Sequence, residues 1–307
     1  MEYARRRSRR RRRRGGDGGA VRAVIALLMV GGIVYLISAS AAGEWIAQKV
    51  IAPVIEAFSG DKKDSGGTDE ANVPDTSPPP NTSEVSLSTE KNSVSAEVSL
   101  PAVTCYMLQM GSFSTEQNAN AQAALLKAMG GGGYVMQSGD RYRVLAAGYI
   151  TLESAQEVRD RLKDEGVDCM VYPLATASAN FRVTAPEDQL ESVKAGFQAL
   201  ANAQSALSAT AVRYDASTGD VEAGKADCAS IAVSLKEGMK VLEGYGNSGS
   251  EVLQKLLACY DTYESELSAI AASDAQTQVA FSAQIKYTQL YLTHEYFKLM
   301  EAFGSVA

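Results

Sequence analysis

Two short runs decide the fold that this sequence predicts: YMLQMGSF at residues 106–113 and RYRVLAAGY at residues 141–149. Each run is typical of a β-strand and closes on a glycine and an aromatic residue. The segment between them begins with STEQNANAQAALLKAM, which has apolar residues at helical spacing and Ser114 as its predicted N-cap. Four glycines at 130–133 follow this helix. Because a phosphate-binding loop must precede a helix, they predict a turn and not a nucleotide site.

The residues that follow complete a small domain. YVMQS, a Gly-Asp turn and the run RYRVLAAGY together predict a β-hairpin. TLESAQEVRDRLKDEG predicts a second helix that begins at Thr151 and stops at Gly166, and VDCMVYPL supplies the last strand. The order β-α-β-β-α-β in about 70 residues predicts a split βαβ (ferredoxin-like) fold. In that fold a four-stranded antiparallel sheet carries both helices on one face and leaves the other face free.

Residues 103–175 resemble a SPOR domain, the small peptidoglycan-binding module of bacterial division and sporulation proteins. The likeness rests on LQMGSF, on AQAALLKAM in the first helix, on YRVLAAGY and on AQEVRDRLKDEG in the second helix. The resemblance implies a binding function. It predicts that the exposed sheet face holds glycan strands from which the stem peptides have been removed.

The same resemblance implies which side chains bind the glycan. Strand alternation places Gln109 outward, and Ser112 follows at the end of that strand. Arg143 matches the family's outward arginine, and Met170 takes the outward position on the last strand. An amide, a hydroxyl and a guanidinium supply the donors and acceptors that sugars need. The alternative is an ordinary sheet surface with solvated polar groups.

One part of the run departs from the family pattern. After Arg143 the family usually has a glycine-proline-aromatic closure, whereas this chain has LAAGY, which is one residue longer. A β-bulge would absorb the extra residue.

The N-terminal segment predicts a membrane anchor. Nine arginines lie within residues 5–14, and the charge-free residues 23–43 are long enough for a helix that spans a bilayer, which needs about 20 residues. Arginine-rich flanks stay in the cytoplasm, so residues 1–22 are predicted to be a cytoplasmic tail and the bulk of the chain extracytoplasmic. A cleaved signal peptide with ASA at 39–41 is the alternative. The arginines are explained by topology, so nucleic acid is not a predicted partner.

The residues between the anchor and the small domain have a different composition. Residues 44–102 are predicted to be an extracytoplasmic stem and a disordered linker, because Ser, Thr, Pro, Asn and charged residues dominate from about residue 59 onward. A segment of this composition cannot bury enough apolar surface to offset chain entropy.

The C-terminal region, residues 186–307, predicts an all-α helical bundle of unknown role. Four helices are expected, at about 187–214, 220–243, 249–272 and 275–303, and the break GYGNSG reads as a helix-to-helix turn. The last helix carries an apolar stripe that favours core or helix contacts, with a partner-binding groove as the alternative. The stripe consists of Tyr287, Leu290, Tyr291, His294, Phe297 and Met300.

The sequence offers little support for a catalytic or metal site. His294 is the only histidine in the sequence, so histidine-based zinc clusters cannot form and a catalytic triad would need that one residue. No catalytic residue, metal site or cofactor is predicted.

Four cysteines allow several pairings, of which Cys228 with Cys259 across two helices is one option. Four buried thiols are the other.

The sequence therefore predicts an α+β chain with a single transmembrane helix. We expect a non-enzymatic cell-envelope protein that binds peptidoglycan glycan strands and localises to a division or sporulation septum. Its predicted partners are the glycan, the membrane through the anchor helix, and a protein for the C-terminal helices. Two alternatives remain: a membrane-anchored helical scaffold that binds a protein, and a cell-wall hydrolase that the small domain targets.

Overall fold

The computed structural model of the chain describes residues 82–88, 92–215 and 220–304. The strands in these ranges are β1 (Thr82–Ser86), β2 (Ser93–Leu100), β3 (Thr104–Phe113), β4 (Tyr134–Ser138), β5 (Arg141–Tyr149), β6 (Met170–Ala175) and β7 (Ala179–Pro186). The helices are α1 (Glu116–Ala128), α2 (Leu152–Asp164), α3 (Leu190–Asp215), α4 (Val221–Glu243), α5 (Glu251–Ala271) and α6 (Gln278–Gly304). The predicted α+β class is confirmed.

The predicted membrane span at 23–43 lies outside the residues that the structure describes, as do the tail before it and residues 44–81. Within the described ranges, no helix has both the length and the apolar character needed to cross a membrane.

Strands β3 to β6 form the predicted four-stranded antiparallel sheet, in the order β4-β5-β3-β6. Helices α1 and α2 pack on one face of it, in an apolar cluster whose buried members include Leu108, Ala119, Ala123, Leu126, Val144 and Ala155. Thr151 caps α2 as predicted, because its hydroxyl accepts a hydrogen bond from the Ser154 amide at 3.2 Å. The first helix is capped by Thr115 and not by Ser114, since Thr115 accepts from the Asn118 amide.

Two opposite bulges interrupt the pairing of β3 with β5. Between Met107 and Gln109, β3 advances two residues while β5 advances three, from Gly148 to Leu145. The predicted bulge in LAAGY is therefore confirmed. Between Gln109 and Gly111, β3 advances two residues while β5 advances one, so a second bulge restores the register. Each bulge changes which side chains of a strand share a face.

The predicted disordered linker is wrong for its last part. β1 and β2 lie within the range 44–102, and they flank β7 in a three-stranded sheet of order β1-β7-β2. β1 runs parallel to β7 and β2 runs antiparallel to it. Small polar residues alternate with apolar ones in SVSAEVSL, so one face is apolar although the average composition is polar. Val98 and Leu100 of that face are buried, and Val85 and Leu87, at the end of β1 and after it, are buried in the same core.

The four-stranded domain is inserted between two paired strands. Leu100 at the end of β2 pairs with Ala179 at the start of β7, and the domain fills the sequence between them. The two connections lie side by side, because the Val103 amide donates to Oγ1 of Thr176 and the Thr176 amide donates to the Val103 carbonyl, both at 2.9 Å. The chain thus leaves the three-stranded sheet and returns to it at one place.

Helices α3 to α6 agree with the four predicted C-terminal helices, and GYGNSG is a turn that contains a short 3-10 helix, Gly246–Ser248. The region is nevertheless not an independent bundle. Its apolar core is continuous with that of the three-stranded sheet, where the rings of Phe181 and Phe197 lie 5.8 Å apart and those of Phe181 and Phe303 lie 5.1 Å apart. Strands from before and after the inserted domain complete the helical core.

All four cysteines are free and buried. The optional bridge between Cys228 and Cys259 is not formed, and both side chains lie in the helical core. Burial raises the pKa of each of these two thiols to about 12.

Candidate binding site on the sheet

Three of the four predicted site residues form one hydrogen-bonded cluster on the sheet face opposite α1 and α2. Arg143 donates from Nη1 to Oε1 of Gln109 at 2.6 Å, and Gln109 donates from Nε2 to the sulfur of Met170 at 3.2 Å. The guanidinium carbon of Arg143 lies 4.4 Å from the centre of the Tyr172 ring, within the range of a cation–π contact. Strands β5, β3 and β6 thus bring a guanidinium, an amide and an aromatic ring together.

Ser112 joins the same face because of the second bulge. In a regular strand, residues 109 and 112 would point to opposite faces. The register shift after Gln109 instead places Ser112 opposite Arg143. The Ser112 hydroxyl accepts from Nε of Arg141 at 3.3 Å, and its carbonyl accepts from Nη2 at 2.8 Å.

Arg141 is a residue of this face that the sequence prediction missed. It is exposed, and it shares the face with Arg143 because the two are two positions apart on β5. That spacing, read together with Arg143, was the signal that could have found it.

The exposure of the four predicted residues differs. Met170 is 54% exposed, Ser112 and Arg143 are partly exposed, and Gln109 is only 5% exposed. Nε of Arg143 is buried and has no hydrogen-bond partner within the described part of the chain. Gln109 therefore orients the guanidinium from below, whereas Arg143, Ser112 and Met170 present groups at the surface.

The other half of this face is covered by α6, which corrects the prediction of a free face. An apolar cluster between sheet and helix contains seven buried residues: Cys105, Met107, Tyr134, Met136, Leu145, Leu174 and Leu290. Tyr172, Tyr287, Tyr291 and Phe297 pack against it. Burying one side chain of this size contributes about 1.5–3 kcal/mol, so this cluster stabilises the docked position of the helix. We call the six sheet residues of the cluster the covered half, and Gln109, Ser112, Arg141, Arg143 and Met170 the open half.

The sequence of this small domain matches a known module. Residues 103–173 match the family model of the SPOR domain, over less than a quarter of the chain. The segment is a SPOR domain. The match implies peptidoglycan binding and septal targeting, and it concerns a binding domain and not a catalytic one. No curated protein and no solved structure matches the chain.

The four-glycine turn of the SPOR domain lies in close contact with α6. A Cβ on Gly132 would lie 3.0 Å from the side chain of Leu290 and from backbone atoms of Lys286 and Tyr287. The carbonyl of Gly130 accepts from Oγ of Ser282 at 3.2 Å and from Nζ of Lys286 at 3.1 Å. The glycines therefore serve as a docking surface for a helix and not as a phosphate loop.

The only histidine of the sequence is part of this contact. Nδ1 of His294 lies 2.7 Å from the hydroxyl of Tyr134, the first residue of β4. Burial lowers the pKa of His294, and the Lys298 charge lowers it further, while Glu295 opposes the shift. Through its hydrogen bond to Tyr134, His294 holds the SPOR domain against α6.

Cys105 is another buried member of the contact. The side-chain amide of Gln289 approaches its sulfur at 3.8 Å, and burial raises the pKa of the thiol to about 11. In the residues that the structure describes, no group of three or more His, Cys, Asp or Glu side chains is arranged to hold a metal ion.

Proposed function

We propose that this chain is a single-pass cell-envelope protein that binds peptidoglycan glycan strands stripped of their stem peptides. It thereby localises to a division or sporulation septum. The observation that carries the proposal is the Arg143, Gln109 and Met170 cluster on the open half of the SPOR sheet. The family match supports it, because it implies peptidoglycan binding and septal targeting. The proposed protein binds its ligand without catalysing a reaction.

The open half offers what an uncharged sugar polymer requires. Arg143 presents guanidinium N–H donors in a fixed plane, and Gln109 and the Tyr172 ring hold that plane in position. The Ser112 hydroxyl adds a group that both donates and accepts. Met170, more than half exposed, supplies apolar surface for the face of a sugar ring. In this proposal Gln109 is a positioning residue, and the other three touch the glycan.

The N-terminal residues supply the membrane part of the proposal. Residues 23–43 would span the bilayer with residues 1–22 in the cytoplasm, and residues 44–81 would connect the span to the folded part. Anchoring a weak binder beside its polymer raises its effective concentration there. Outside residues 1–22, acidic residues far outnumber basic ones, which disfavours nucleic acid as a partner.

The alternative of a helical scaffold for a protein partner has less support. The stripe on the last helix, which would be its docking groove, contacts the SPOR sheet through Leu290 and bonds Tyr134 through His294. Intramolecular packing accounts for that stripe.

The proposed function is tested with the full chain purified in detergent and isolated peptidoglycan sacculi. The bound fraction is measured before and after an amidase removes the stem peptides. We expect binding to rise after amidase treatment, and Arg143→Ala to weaken it roughly tenfold or more, as for loss of a charged hydrogen-bond donor. Val233→Ala, on the exposed surface of α4, is the matched control and should bind like wild type.

Absence of binding to both preparations would refute the proposal. Equal binding by wild type and Arg143→Ala would refute the assignment of the open half as the site.

A further inference from the structure

The position of α6 shapes the space above the open half. The helix contacts Tyr134 at the start of β4, Gly148 near the end of β5, Cys105 near the start of β3, and the cluster containing Leu174 near the end of β6. Gly148, Cys105 and Leu174 lie at one end of the sheet, and Tyr134 lies level with Gln109, because both residues pair with Leu145. α6 therefore covers the sheet from that end, and the open half directly adjoins the covered half at the row that Gln109 and Leu145 share.

The open half forms a row that runs alongside the helix. Arg143, Gln109 and Met170 come from three adjacent strands, β5, β3 and β6, and they are bonded in that order. This row extends across the strands, as the contacts of α6 do on the covered half. A polymer that lies on this row must run beside the helix.

Release of the helix cannot be the way in which the site gains room. Seven apolar side chains are buried where α6 meets the sheet, and α6 also contributes to the core of the helical region through Phe281, Ile285, Leu292 and Phe303. A single weak sugar contact does not compensate for exposing such a surface. The flank of α6 is therefore a fixed boundary of the glycan site.

Two aromatic side chains of α6 stand at that boundary. His294 and Phe297 are both partly exposed, and their rings lie 6.5 Å apart with an angle of 30° between their planes. His294 is fixed by Tyr134, and Phe297 packs with the cluster that includes Tyr172, the ring beneath Arg143. Aromatic rings offer large, rigid apolar faces that suit the apolar face of a pyranose.

We propose that α6 is one wall of the glycan groove, in which the open half of the SPOR sheet is the floor and His294 and Phe297 contact the sugar rings. This inference rests on the proposed function and extends the site beyond the SPOR domain. It also assigns a source of selectivity. A strand lying between the floor and a fixed wall has no room for stem peptides on the wall side, so the groove admits stripped strands and excludes those that carry peptides.

The test uses the full chain and amidase-treated and untreated sacculi, with variants of the wall and of the floor. His294→Asn keeps a hydrogen-bonding atom for Tyr134 and removes the ring, and Phe297→Leu keeps apolar packing and removes the aromatic face. Each variant should weaken binding to stripped sacculi roughly three- to tenfold, as for loss of one aromatic contact. Their melting temperatures should stay within about 5 °C of wild type, a shift that reflects a small stability change.

Selectivity is the second readout, which a purely structural role would not move. Phe297→Ala opens the wall, so the ratio of binding to stripped over untreated sacculi should fall. If both wall variants bind like wild type while Arg143→Ala does not bind, the proposal that α6 is a wall of the groove is refuted and the proposed function stands. Stronger binding by the wall variants would mean that His294 and Phe297 obstruct the glycan, and it would likewise refute the proposal that they contact it. If wild type binds neither preparation, the proposed function itself fails.

Discussion

The hydroxyl of Tyr134 lies 2.7 Å from Nδ1 of His294, and this contact joins the SPOR domain to the last helix of the chain. The two residues are 160 positions apart in the sequence. The contact belongs to an interface that also contains the four-glycine turn and a buried apolar cluster. The orientation of a wall-binding module relative to the helices is thus set by specific packing and not by a free linker.

The first prediction concerns the pH dependence of this contact. Because the pKa of His294 is lowered in the folded chain, the neutral ring is favoured there, and the unfolded chain takes up the proton more readily. The contribution of His294 to stability is therefore complete above its unfolded pKa of about 6.5 and is lost as the pH falls below that value. Wild type should therefore lose more thermal stability than His294→Asn between about pH 7.5 and about pH 5.5, roughly one unit on either side of this pKa.

The charged neighbours of His294 set the controls for that experiment. Lys298→Ala removes a charge that lowers the pKa of His294, so the pH-dependent loss should become smaller. Glu295→Gln removes a charge that raises this pKa, so the loss should become larger. Parallel melting curves for wild type and His294→Asn across this range would contradict the assignment.

The second prediction concerns the close approach of α6 to the glycine turn. In Gly132→Ala the new Cβ would meet backbone atoms of α6 at 3.0 Å, closer than normal van der Waals contact. Neither partner can move without disturbing the cluster around Leu290, so the free energy of unfolding should fall by about 1–3 kcal/mol. Urea denaturation measures this change. Gly246→Ala is the matched control, because a Cβ there meets nothing within 4 Å. Equal effects of the two substitutions would count against a tight contact at the turn.

The third prediction concerns the cysteines. All four are free thiols, and burial raises the pKa of Cys105 to about 11 and of Cys228 and Cys259 to about 12. The thiolate is the reactive form, so a thiol reagent at pH 8 should label the native chain very slowly. The same chain unfolded in guanidinium without reductant should react at all four cysteines. A count of two would show that one pair of cysteines, such as Cys228 and Cys259, forms a disulfide that the structure lacks.

Most of the secondary structure could be predicted because each element carries its own local period. The strand around Gln109 and the helix that begins at Thr151 are readable from neighbouring residues alone, and so are the breaks between the four C-terminal helices. The extra residue in LAAGY likewise predicted the β-bulge in that strand. These features depend on contacts within a few residues of one another.

The parts that were missed depend on distant partners. β2 looks like linker by composition, and it becomes a strand because Leu100 and Ala179 pair across an inserted domain. The apolar stripe on the last helix could be predicted from its spacing. Its residues do not indicate, however, that the stripe packs on the sheet face that carries Cys105 and Leu145. The bulge that turns Ser112 onto the face of Arg143 has no local signal comparable to LAAGY.

The last prediction concerns the aromatic ring beneath Arg143. In Tyr172→Leu the guanidinium loses the ring face that lies 4.4 Å from its carbon, while the hydrogen bond to Gln109 remains. The cation–π contact contributes about 0.5–2 kcal/mol, so the orientation of Arg143 should loosen and binding to stripped sacculi should weaken about two- to thirtyfold. Tyr172→Phe keeps the ring and is the matched control, so it should bind like wild type. If Tyr172→Phe loses as much binding as Tyr172→Leu, the hydroxyl and not the ring face supports the site.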